Sequence, residues 1–469
     1  MKTALIITLG TRDISLSPDD LNHFFEEETI KSFSTPRGFL LARLFGQALL
    51  NKKLSNELKK KIQLPIVKAG IEFVLGQTGV PTTIILVATN QKTEVVGDRF
   101  WQNDTYPFAQ VLQQVIPFQF KKFGTFDIRI EKVSDNVAYL DSMYDYFNAA
   151  LNKKIWKPLA DYDELFLLNQ GGIDAINTAL MLNCLNKYGE KITLLSVNEH
   201  LGLCAKLDFA EQYLMDKERL RAISAIKKYR YAFIKNLAVP PIVKSLAAFG
   251  EHKLNFDFDE AEKVLLGDFP RKQRTYRDQL IQTIHVLRNS EDGLLKELYE
   301  NAKIKFEQEA YVDFLLRLFR ILEGISKQKV MSYLSFPFNH LKWEKDLNRF
   351  LNQAPNADLK NHLDNYVLPD GRPLILTYAS IPLLLAILAF FDPVAYTDLS
   401  KLQGLSQLRN KSIGAHDFDP VSKKQIEKDL NAQGITISDM FTTLDKYLGK
   451  PNFYLNLNQQ LEKYLIMSS

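Results

Sequence analysis

The amino-acid sequence predicts an α/β amino-terminal half followed by an all-α carboxy-terminal half. In residues 1–206, short apolar segments alternate with longer amphipathic ones, which is typical of a parallel sheet covered by helices. Beyond residue 206 the strand signals fade, and apolar residues recur at helical spacing. Because 469 residues are too many for one ordinary core, more than one domain is expected.

Buried strands are predicted in the first half wherever a short apolar segment is bounded by turn residues. These segments are Thr3–Leu9, Thr82–Thr89, Phe126–Val133, Glu164–Asn169 and Lys191–Val197. Helical periodicity between them covers Phe39–Asn51, Tyr139–Leu151 and Ile173–Tyr188. Apolar strands separated by helices predict a Rossmann-like, mostly parallel sheet.

The second half begins with Leu207–Leu237, which has the pattern of one long helix rich in Lys and Arg. Further amphipathic or apolar segments predict an all-α region, and they are Tyr311–Lys329, Ile381–Phe391, Ser422–Asn431 and Ser438–Leu448. The predicted division of the chain is therefore 1–206, a helical linker at 207–240, and 241–469.

Composition excludes several classes of protein. The net charge is only +4, so any contact with nucleic acid must come from a local groove. Two cysteines without a Cys-x-x-Cys pair make a disulfide framework or a zinc cage improbable and suit a reducing cytoplasm. The uncharged stretch Pro373–Phe391 is interrupted by Ser380 and Pro382, which suit a helix start and leave about 16 Å of helix, too short for a bilayer of about 30 Å. No membrane partner is expected.

Polar and glycine-bearing loops follow three of the predicted strands. Their residues, with one from the helix start after the paired glycines, are Gly10, Thr11, Arg12, Asn90, Gln91, Asn169, Gln170, Gly171, Gly172 and Asn177. Parallel strands end on one edge of a sheet, where α/β folds bind ligands. Glycines permit close backbone approach, a helix amino terminus favours phosphate, and amides can bond base edges. The loops predict a nucleotide site, although each glycine alone would equally suit a tight turn. A standard NAD or ATP site is not expected, because the dinucleotide fingerprint and the Walker loop are missing.

A second group of chemically active residues lies near the end of the chain, where Arg409 and Asn410 are followed by His416. If this segment is helical, about 100° per residue places the arginine and the histidine on one stripe, about two turns apart. Histidine can transfer a proton near neutral pH, and arginine can hold a phosphate that gains charge. The pair suits metal-free RNA cleavage, although such a spacing alone is usually a solvated helix face.

Together these features resemble the CARF-HEPN ribonucleases of type III CRISPR systems. Leu9–Arg12 resembles the loop after the first CARF strand, and Asn169–Asn177 resembles the loop and helix start that close on the ligand. Tyr311–Arg320 resembles an early HEPN helix, and Arg409–His416 matches the HEPN catalytic element. Residues 207–310 carry no motif of the family.

The resemblance implies a function. Residues 1–206 would be a CARF-like sensor and residues 241–469 a HEPN-like ribonuclease, acting in antiviral defence as a cytoplasmic homodimer. A cyclic oligoadenylate, such as cyclic tetra- or hexa-adenylate, would allosterically activate cleavage of single-stranded RNA to 2′,3′-cyclic phosphate ends, with no cofactor or metal. Arg409 would stabilise the scissile phosphate, His416 would act as general acid and base, and Asn410 would support them.

Several alternatives stay open at this stage. Ile173-Asp174 replaces the Thr-Pro that many relatives carry after the paired glycines, which leaves open the ring size and whether the chain degrades its own activator. Asp174 could simply cap the helix. The chain could be a nucleotide sensor without nuclease activity, or a ring-opening phosphodiesterase using Thr11, Arg12 or Asn177. His416-Asp417 is also the dipeptide of HD-type metal phosphohydrolases, which need further ligands.

Overall fold

The computed structural model describes residues 2–79, 83–134, 137–153, 156–267, 269, 273–334, 343–368, 371–375, 380–412 and 419–467. The chain divides into two compact units, Met1–Lys217 and Glu218–Ser469. Each unit has its own hydrophobic clusters.

The described part of the first unit contains a six-stranded sheet with the order β3-β2-β1-β4-β5-β6. The strands are β1 (Thr3–Thr8), β2 (Thr83–Thr89), β3 (Asp127–Val133), β4 (Glu164–Leu168), β5 (Ile192–Asn198) and β6 (Leu203–Lys206). β1 to β5 pair in parallel, and β6 pairs antiparallel with β5. The five predicted strands are therefore present. β6 was not predicted, because this edge strand is only four residues long and most of its side chains are exposed.

Helices cover both faces of the sheet. Side chains alternate along each strand, so apolar residues point to both faces and each face needs a covering layer. Leu5 and Ile7 of β1 pack into one cluster, whereas Ala4 and Ile6 pack into the other. The helices of this unit are α1 (Pro18–Phe24), α2 (Glu27–Phe33), α3 (Ala42–Asn51), α4 (Asn56–Lys61), α5 (Pro65–Thr78), α6 (Thr93–Trp101), α7 (Tyr106–Gln119), α8 (Leu140–Ala150) and α9 (Asp174–Tyr188).

The strand order puts a topological switch at β1. The chain passes from β1 outward through β2 and β3, and then returns to β4 on the opposite side of β1. The loops that follow β1 and β4 therefore face each other at the carboxyl edge of the sheet, which is where doubly wound folds bind ligands.

Among its described residues, the second unit consists of helices joined by turns and loops, with two isolated β-bridges. Its elements begin with α10, which starts in the first unit, and they are α10 (Phe209–Lys227), α11 (Tyr231–Ile234), α12 (Pro241–Leu254), α13 (Phe258–Leu266), α14 (Arg274–Arg288), α15 (Glu291–Glu307), α16 (Tyr311–Tyr333), α17 (Trp343–Leu351), α18 (Ala357–Asp364), α19 (Ile381–Phe391), α20 (Pro393–Gln403), α21 (Leu405–Lys411), α22 (Lys423–Ala432), α23 (Ile437–Leu448) and α24 (Phe453–Met467). The predicted fold class, a mostly parallel α/β half followed by an all-α half, is confirmed.

The prediction of one continuous helix over Leu207–Leu237 is wrong at its carboxyl end. α10 stops at Lys227, and Tyr229 has a left-handed φ of 53°. The side chain of Gln308 donates to the carbonyls of Lys228 and Tyr229, so a tertiary contact satisfies groups that a helix would have used. The chain then turns into α11, whose residues Tyr231 and Ile234 are buried in the core of the second unit.

The apolar stretch near Ser380 forms the buried helix that the sequence predicts. The hydroxyl of Ser380 accepts a hydrogen bond from the backbone of Leu383, and Pro382 lies in the first turn. Most residues of α19 lie in the core of the second unit. Within the described ranges, no helix is long and apolar enough to cross a membrane. The functional limits 1–206, 207–240 and 241–469 stay a prediction.

Candidate ligand rim and ribonuclease site

The loops after β1 and β4 touch each other through their glycines. The hydroxyl of Thr8 donates to the carbonyl of Gly171 at 2.7 Å. A Cβ on Gly10 would lie 2.6 Å from the backbone nitrogen of Gly172, and a Cβ on Gly171 would lie 2.7 Å from a carboxylate oxygen of Asp13. Gly172 has a φ of +87°, a conformation that side chains rarely adopt. These glycines are required by close backbone packing between the two loops.

Asp13 lies beneath this contact and is fully buried. Its Oδ2 accepts a hydrogen bond from the backbone of Gly10 at 2.5 Å, while its Oδ1 has no partner in the described part of the chain. Burial and, to a smaller extent, the charge of Glu199 raise the pKa of Asp13 to about 7, although the hydrogen bond from Gly10 and the charge of Arg12 act to lower it. The sequence predictions missed this residue, although an acidic side chain shortly after a buried strand and a glycine was a signal.

The remaining predicted residues of these two loops hold the rim together. Arg12 is largely exposed and pairs with Glu199 at 3.1 Å. Gln170 bonds the backbone of Val197 twice, with Nε2 donating and Oε1 accepting at 2.6 Å each. Thr11 is exposed beside them.

Asn169 and Asn177 link the loop after β4 to the first turn of α9. Nδ2 of Asn169 donates to the carbonyl of Asn177 at 3.3 Å. The Oδ1 atom of Asn177 is buried without a partner among the described residues. Asp174 is the first residue of α9 rather than its cap, because the N-cap is Ile173 and makes no side-chain bond. The suggestion that Asp174 caps the helix is therefore wrong.

Asn90 and Gln91, after β2, belong to a different network. Oδ1 of Asn90 accepts from Arg43 at 3.0 Å, and Arg43 forms a buried ion pair with Asp104 at 2.6 Å. Gln91 is buried, and both its backbone and its side-chain amide donate to Asp104. The residues predicted to bind a nucleotide therefore fall into two groups. One group surrounds the glycine contact at the switch point, and the other, Asn90 and Gln91, belongs to the packed network around Arg43.

Arg409 lies in the last turn of α21, where this helix packs against α16 in the second unit. Leu405 and Leu408 of α21 are buried in the core, which places Arg409 at the edge of the contact with α16. Its guanidinium carbon lies 3.9 Å above the ring of Phe319. Its Nε donates to Oδ1 of Asn410 at 3.0 Å, and its Nη2 donates to the same oxygen. Burial and, second, the charge of Arg320 lower the pKa of Arg409.

The helix that carries Arg409 ends before His416. Ser412 has extended backbone angles, its hydroxyl donates to the carbonyl of Arg409 at 2.7 Å, and it pairs with Asp419 in a parallel bridge. A continuous helical stripe from Arg409 to His416 is therefore wrong, because the hydroxyl of Ser412 caps the helix. His416 itself, with Asp417, lies outside the described residues.

Two residues beside Arg409 escaped the sequence predictions. Phe319 and Arg320 are consecutive on α16, within the segment that resembles an early HEPN helix. Periodicity alone assigns Phe319 to the edge of the apolar face of α16, and nothing in the sequence links it to a residue ninety positions away. Only the packing of α21 on α16 brings the ring and the guanidinium together.

Comparison with known proteins identifies this region. Residues 285–432 match the model of the Csm6 HEPN domain, a range that includes α16, Arg409 and Asn410. The resemblance to the CARF-HEPN family is confirmed. Residues 285–432 are thus similar to the Csm6 HEPN domain. The fold of the whole chain is similar to that of Enterococcus italicus Csm6 bound to cyclic hexa-2′-fluoro-hexa-dAMP, with a TM-score of 0.51 and 13% identity over 99% of this chain and 100% of that one. A search of curated proteins found no match.

The first unit and the region that matches the Csm6 HEPN model differ in what their geometry can do. The first unit offers a glycine contact at a topological switch, with exposed Thr11 and Arg12 above it. The matched region offers a guanidinium with no carboxylate partner within the described ranges. In the part of the chain that the structure describes, no group of three or more His, Cys, Asp or Glu side chains could hold a metal ion.

Proposed function

We propose that the chain is a cyclic oligoadenylate-activated endoribonuclease of type III CRISPR defence that cuts single-stranded RNA without a metal ion. The observation that carries the proposal is Arg409, which lies within the match to the Csm6 HEPN domain and is held between Phe319 and Asn410. A permanently charged guanidinium without a carboxylate partner among the described residues suits a phosphodiester.

Asn410 determines which edge of Arg409 meets the substrate. Its Oδ1 occupies the edge formed by Nε and Nη2. The end of the guanidinium, formed by Nη1 and the second proton of Nη2, can then donate to two phosphate oxygens at once. Arg409 would hold the scissile phosphate through this end and stabilise the charge that develops in the transition state.

His416 supplies the proton transfers in this proposal. A neutral imidazole would take the proton of the ribose 2′-hydroxyl as O2′ attacks the adjacent phosphorus. The bond from phosphorus to O5′ then breaks, and a protonated imidazole, for which we propose the histidine of the partner protomer, would donate to O5′. The products are a 2′,3′-cyclic phosphate and a 5′-hydroxyl. The chain leaves its helix at Ser412 and returns beside it at Asp419, with His416 between them in sequence.

The CARF-like unit would bind the activator. Csm6 of Enterococcus italicus is bound to a cyclic hexanucleotide analogue in the similar structure. In this chain the loops Gly10–Arg12 and Asn169–Gly172, with Asn177, surround the switch point, and they would bind cyclic tetra- or hexa-adenylate. A cytoplasmic homodimer would suit an activator that has two-fold symmetry.

The test is cleavage of a fluorogenic RNA in chelator, with and without cyclic tri-, tetra- or hexa-adenylate, using wild type, His416→Ala and Arg409→Ala. Cleavage that appears with one ring and disappears in both variants is expected. Ring binding without cleavage would favour a sensor that acts on a partner. Loss of activity in chelator would favour the HD-type metal enzyme, and ring turnover that survives His416→Ala would place a phosphodiesterase in the CARF-like unit.

A further inference from the structure

We infer that Phe319 is a positioning residue for Arg409, and that its ring holds the guanidinium ready for the phosphate without using any of its hydrogen-bond donors. The inference rests on the proposed nuclease function. It assigns a role to a residue on α16 that lies ninety positions before Arg409 in the sequence.

The geometry is that of a stacked cation. The guanidinium carbon lies 3.9 Å from the centre of the Phe319 ring, well inside the distance of about 6 Å at which a ring face attracts a cation. All guanidinium N–H bonds lie in its plane, so a ring on one face leaves every donor free to point elsewhere. The ring fixes the plane of the Arg409 guanidinium, and Asn410 fixes its rotation within that plane.

A carboxylate in place of the Phe319 ring would hinder phosphate binding, because it would neutralise Arg409 and compete with phosphate. The nearest acid along this face of α16 is Glu323, one turn beyond Phe319. It already pairs with Arg320 and with Lys327 at 2.8 Å each. These pairs and their hydrogen bonds hold the pKa of Glu323 below its usual value despite its burial. Both ion-pair partners of Glu323 therefore belong to its own helix, α16.

The positive charge of Arg320 makes the contact between Phe319 and Arg409 more important. Arg320 follows Phe319 directly in the sequence, and its positive charge repels that of Arg409. A flexible arginine beside a second cation would swing toward solvent, where repulsion is screened. The ring opposes that movement, and an anion bound at Arg409 removes its cause. Phe319 thus keeps the free site close to its substrate-bound arrangement.

The sharpest test changes the charge distribution of the ring and keeps its shape. Phenylalanine at position 319 is replaced by its mono-, tri- and pentafluoro analogues, and single-turnover cleavage of RNA is measured with saturating activator. Fluorine withdraws charge from the ring face, so the rate constant should fall stepwise, by about 3- to 30-fold for the pentafluoro ring. The RNA concentration that gives half of the maximal rate constant should change much less, because the preset geometry acts mainly in the transition state.

Phe314 is the matched control. It lies on the same helix, is fully buried and stacks edge-on against Phe306 rather than against an arginine. Pentafluorophenylalanine at position 314 should leave the rate unchanged. Phe319→Trp should retain activity, and Phe319→Leu, which has no ring, should slow cleavage at least as much as the pentafluoro ring does in a protein that still unfolds cooperatively.

The outcomes separate this inference from the function on which it rests. Wild-type protein that never cuts RNA with any ring would overturn the proposed function. A wild type that cuts, with fluorinated variants that cut equally fast, would overturn the role of Phe319 alone. That role would also be overturned if fluorination still slows the residual cleavage of Arg409→Ala, since the ring would then act on RNA rather than through the arginine.

Discussion

At the scale of single residues, the two candidate sites use neighbours in opposite ways. Arg409 keeps its charge available, because its contacts are a ring face and a neutral amide oxygen. Asp13 ionises less readily than an exposed aspartate, because burial favours its neutral form and raises its pKa to about 7. The chemical type of a residue sets what it can do, and its burial and partners decide which of its charge states the fold supports.

Asn410 provides a direct test of how Arg409 is oriented. Asn410→Ala removes the oxygen that engages Nε and Nη2, and a hydrogen bond to a charged group is worth about 1.5–3 kcal/mol. Single-turnover RNA cleavage should therefore fall about 10- to 100-fold. Asn410→Asp should fall further, because a carboxylate neutralises the guanidinium and competes with the phosphate. Asn431→Ala, an exposed asparagine of α22, serves as the control. Equal activity of Asn410→Ala and wild type would contradict the orienting role.

Asp13 predicts how the stability of the first unit depends on pH. Its pKa is about 7 in the folded chain and near 3.8 when unfolded. Between these values the unfolded state releases the proton that the folded state retains, so the free energy of unfolding falls as pH rises from about 4 to about 7. Above that window the complete penalty is on the order of 4 kcal/mol.

Asp13→Asn removes the titration while keeping an oxygen for the backbone of Gly10. Its melting temperature should exceed that of the wild type above pH 7, and the difference should shrink toward pH 4. Asp161→Asn, at an exposed site, corrects for the general loss of one charge. Melting curves of wild type and Asp13→Asn that shift in parallel at every pH would show that Asp13 does not carry this dependence.

At the scale of elements, the sequence predicted what local patterns determine. Apolar runs located the strands β1 to β5, and Ser380 with Pro382 located the start of α19. The failures have tertiary causes. α10 ends early where Gln308 binds the carbonyls of Lys228 and Tyr229, and α21 ends where Ser412 pairs with Asp419.

The candidate sites follow the same division. The loops after β1 and β4 could be predicted as partners because parallel strands end on one edge. The contact of Phe319 with Arg409 could not be predicted, because it depends on how α21 packs against α16. Asn90 and Gln91 carry suitable groups in the sequence, yet both are engaged by the network of Arg43 and Asp104, which only the fold assembles.

The glycine contact at the switch point gives a prediction at this scale. In Gly171→Ala the new Cβ would meet the backbone of Thr8 and Gly10, so the two loops must move apart. We expect destabilisation of about 1–3 kcal/mol, as for overpacked interiors. Activator binding should weaken at least tenfold, a loss that corresponds to about 1.4 kcal/mol.

Gly76→Ala is the matched control for this substitution. Gly76 lies in α5 with open space around it, so alanine should be neutral or stabilising by up to about 1 kcal/mol. Thermal unfolding and calorimetric titration with the cyclic oligoadenylate compare the two variants. If Gly171→Ala binds the ring as tightly as Gly76→Ala does, the loops after β1 and β4 are not its binding site.

At the scale of the whole molecule, the proposed ligand-sensing loops and the proposed ribonuclease site belong to different units. The switch-point loops belong to the unit Met1–Lys217, and Arg409 belongs to the unit Glu218–Ser469. Each unit has buried clusters of its own, so a substitution in one site need not unfold the other. The proposed activation would therefore act through a difference in ligand affinity between two states of the chain.

This division predicts that binding and cleavage can be lost separately. Arg409→Ala removes the group proposed to hold the scissile phosphate, so RNA cleavage should fall by at least about 100-fold. The affinity for the cyclic oligoadenylate should stay within about twofold of wild type, because the loops that would bind the ring lie in the other unit. At a ring concentration about 100 times the Kd, the first unit of wild type and Arg409→Ala should gain the same stability, about 2.7 kcal/mol. Titration calorimetry and thermal unfolding measure both quantities, and a ring affinity that falls together with cleavage would mean that Arg409 also sets the state of the sensor.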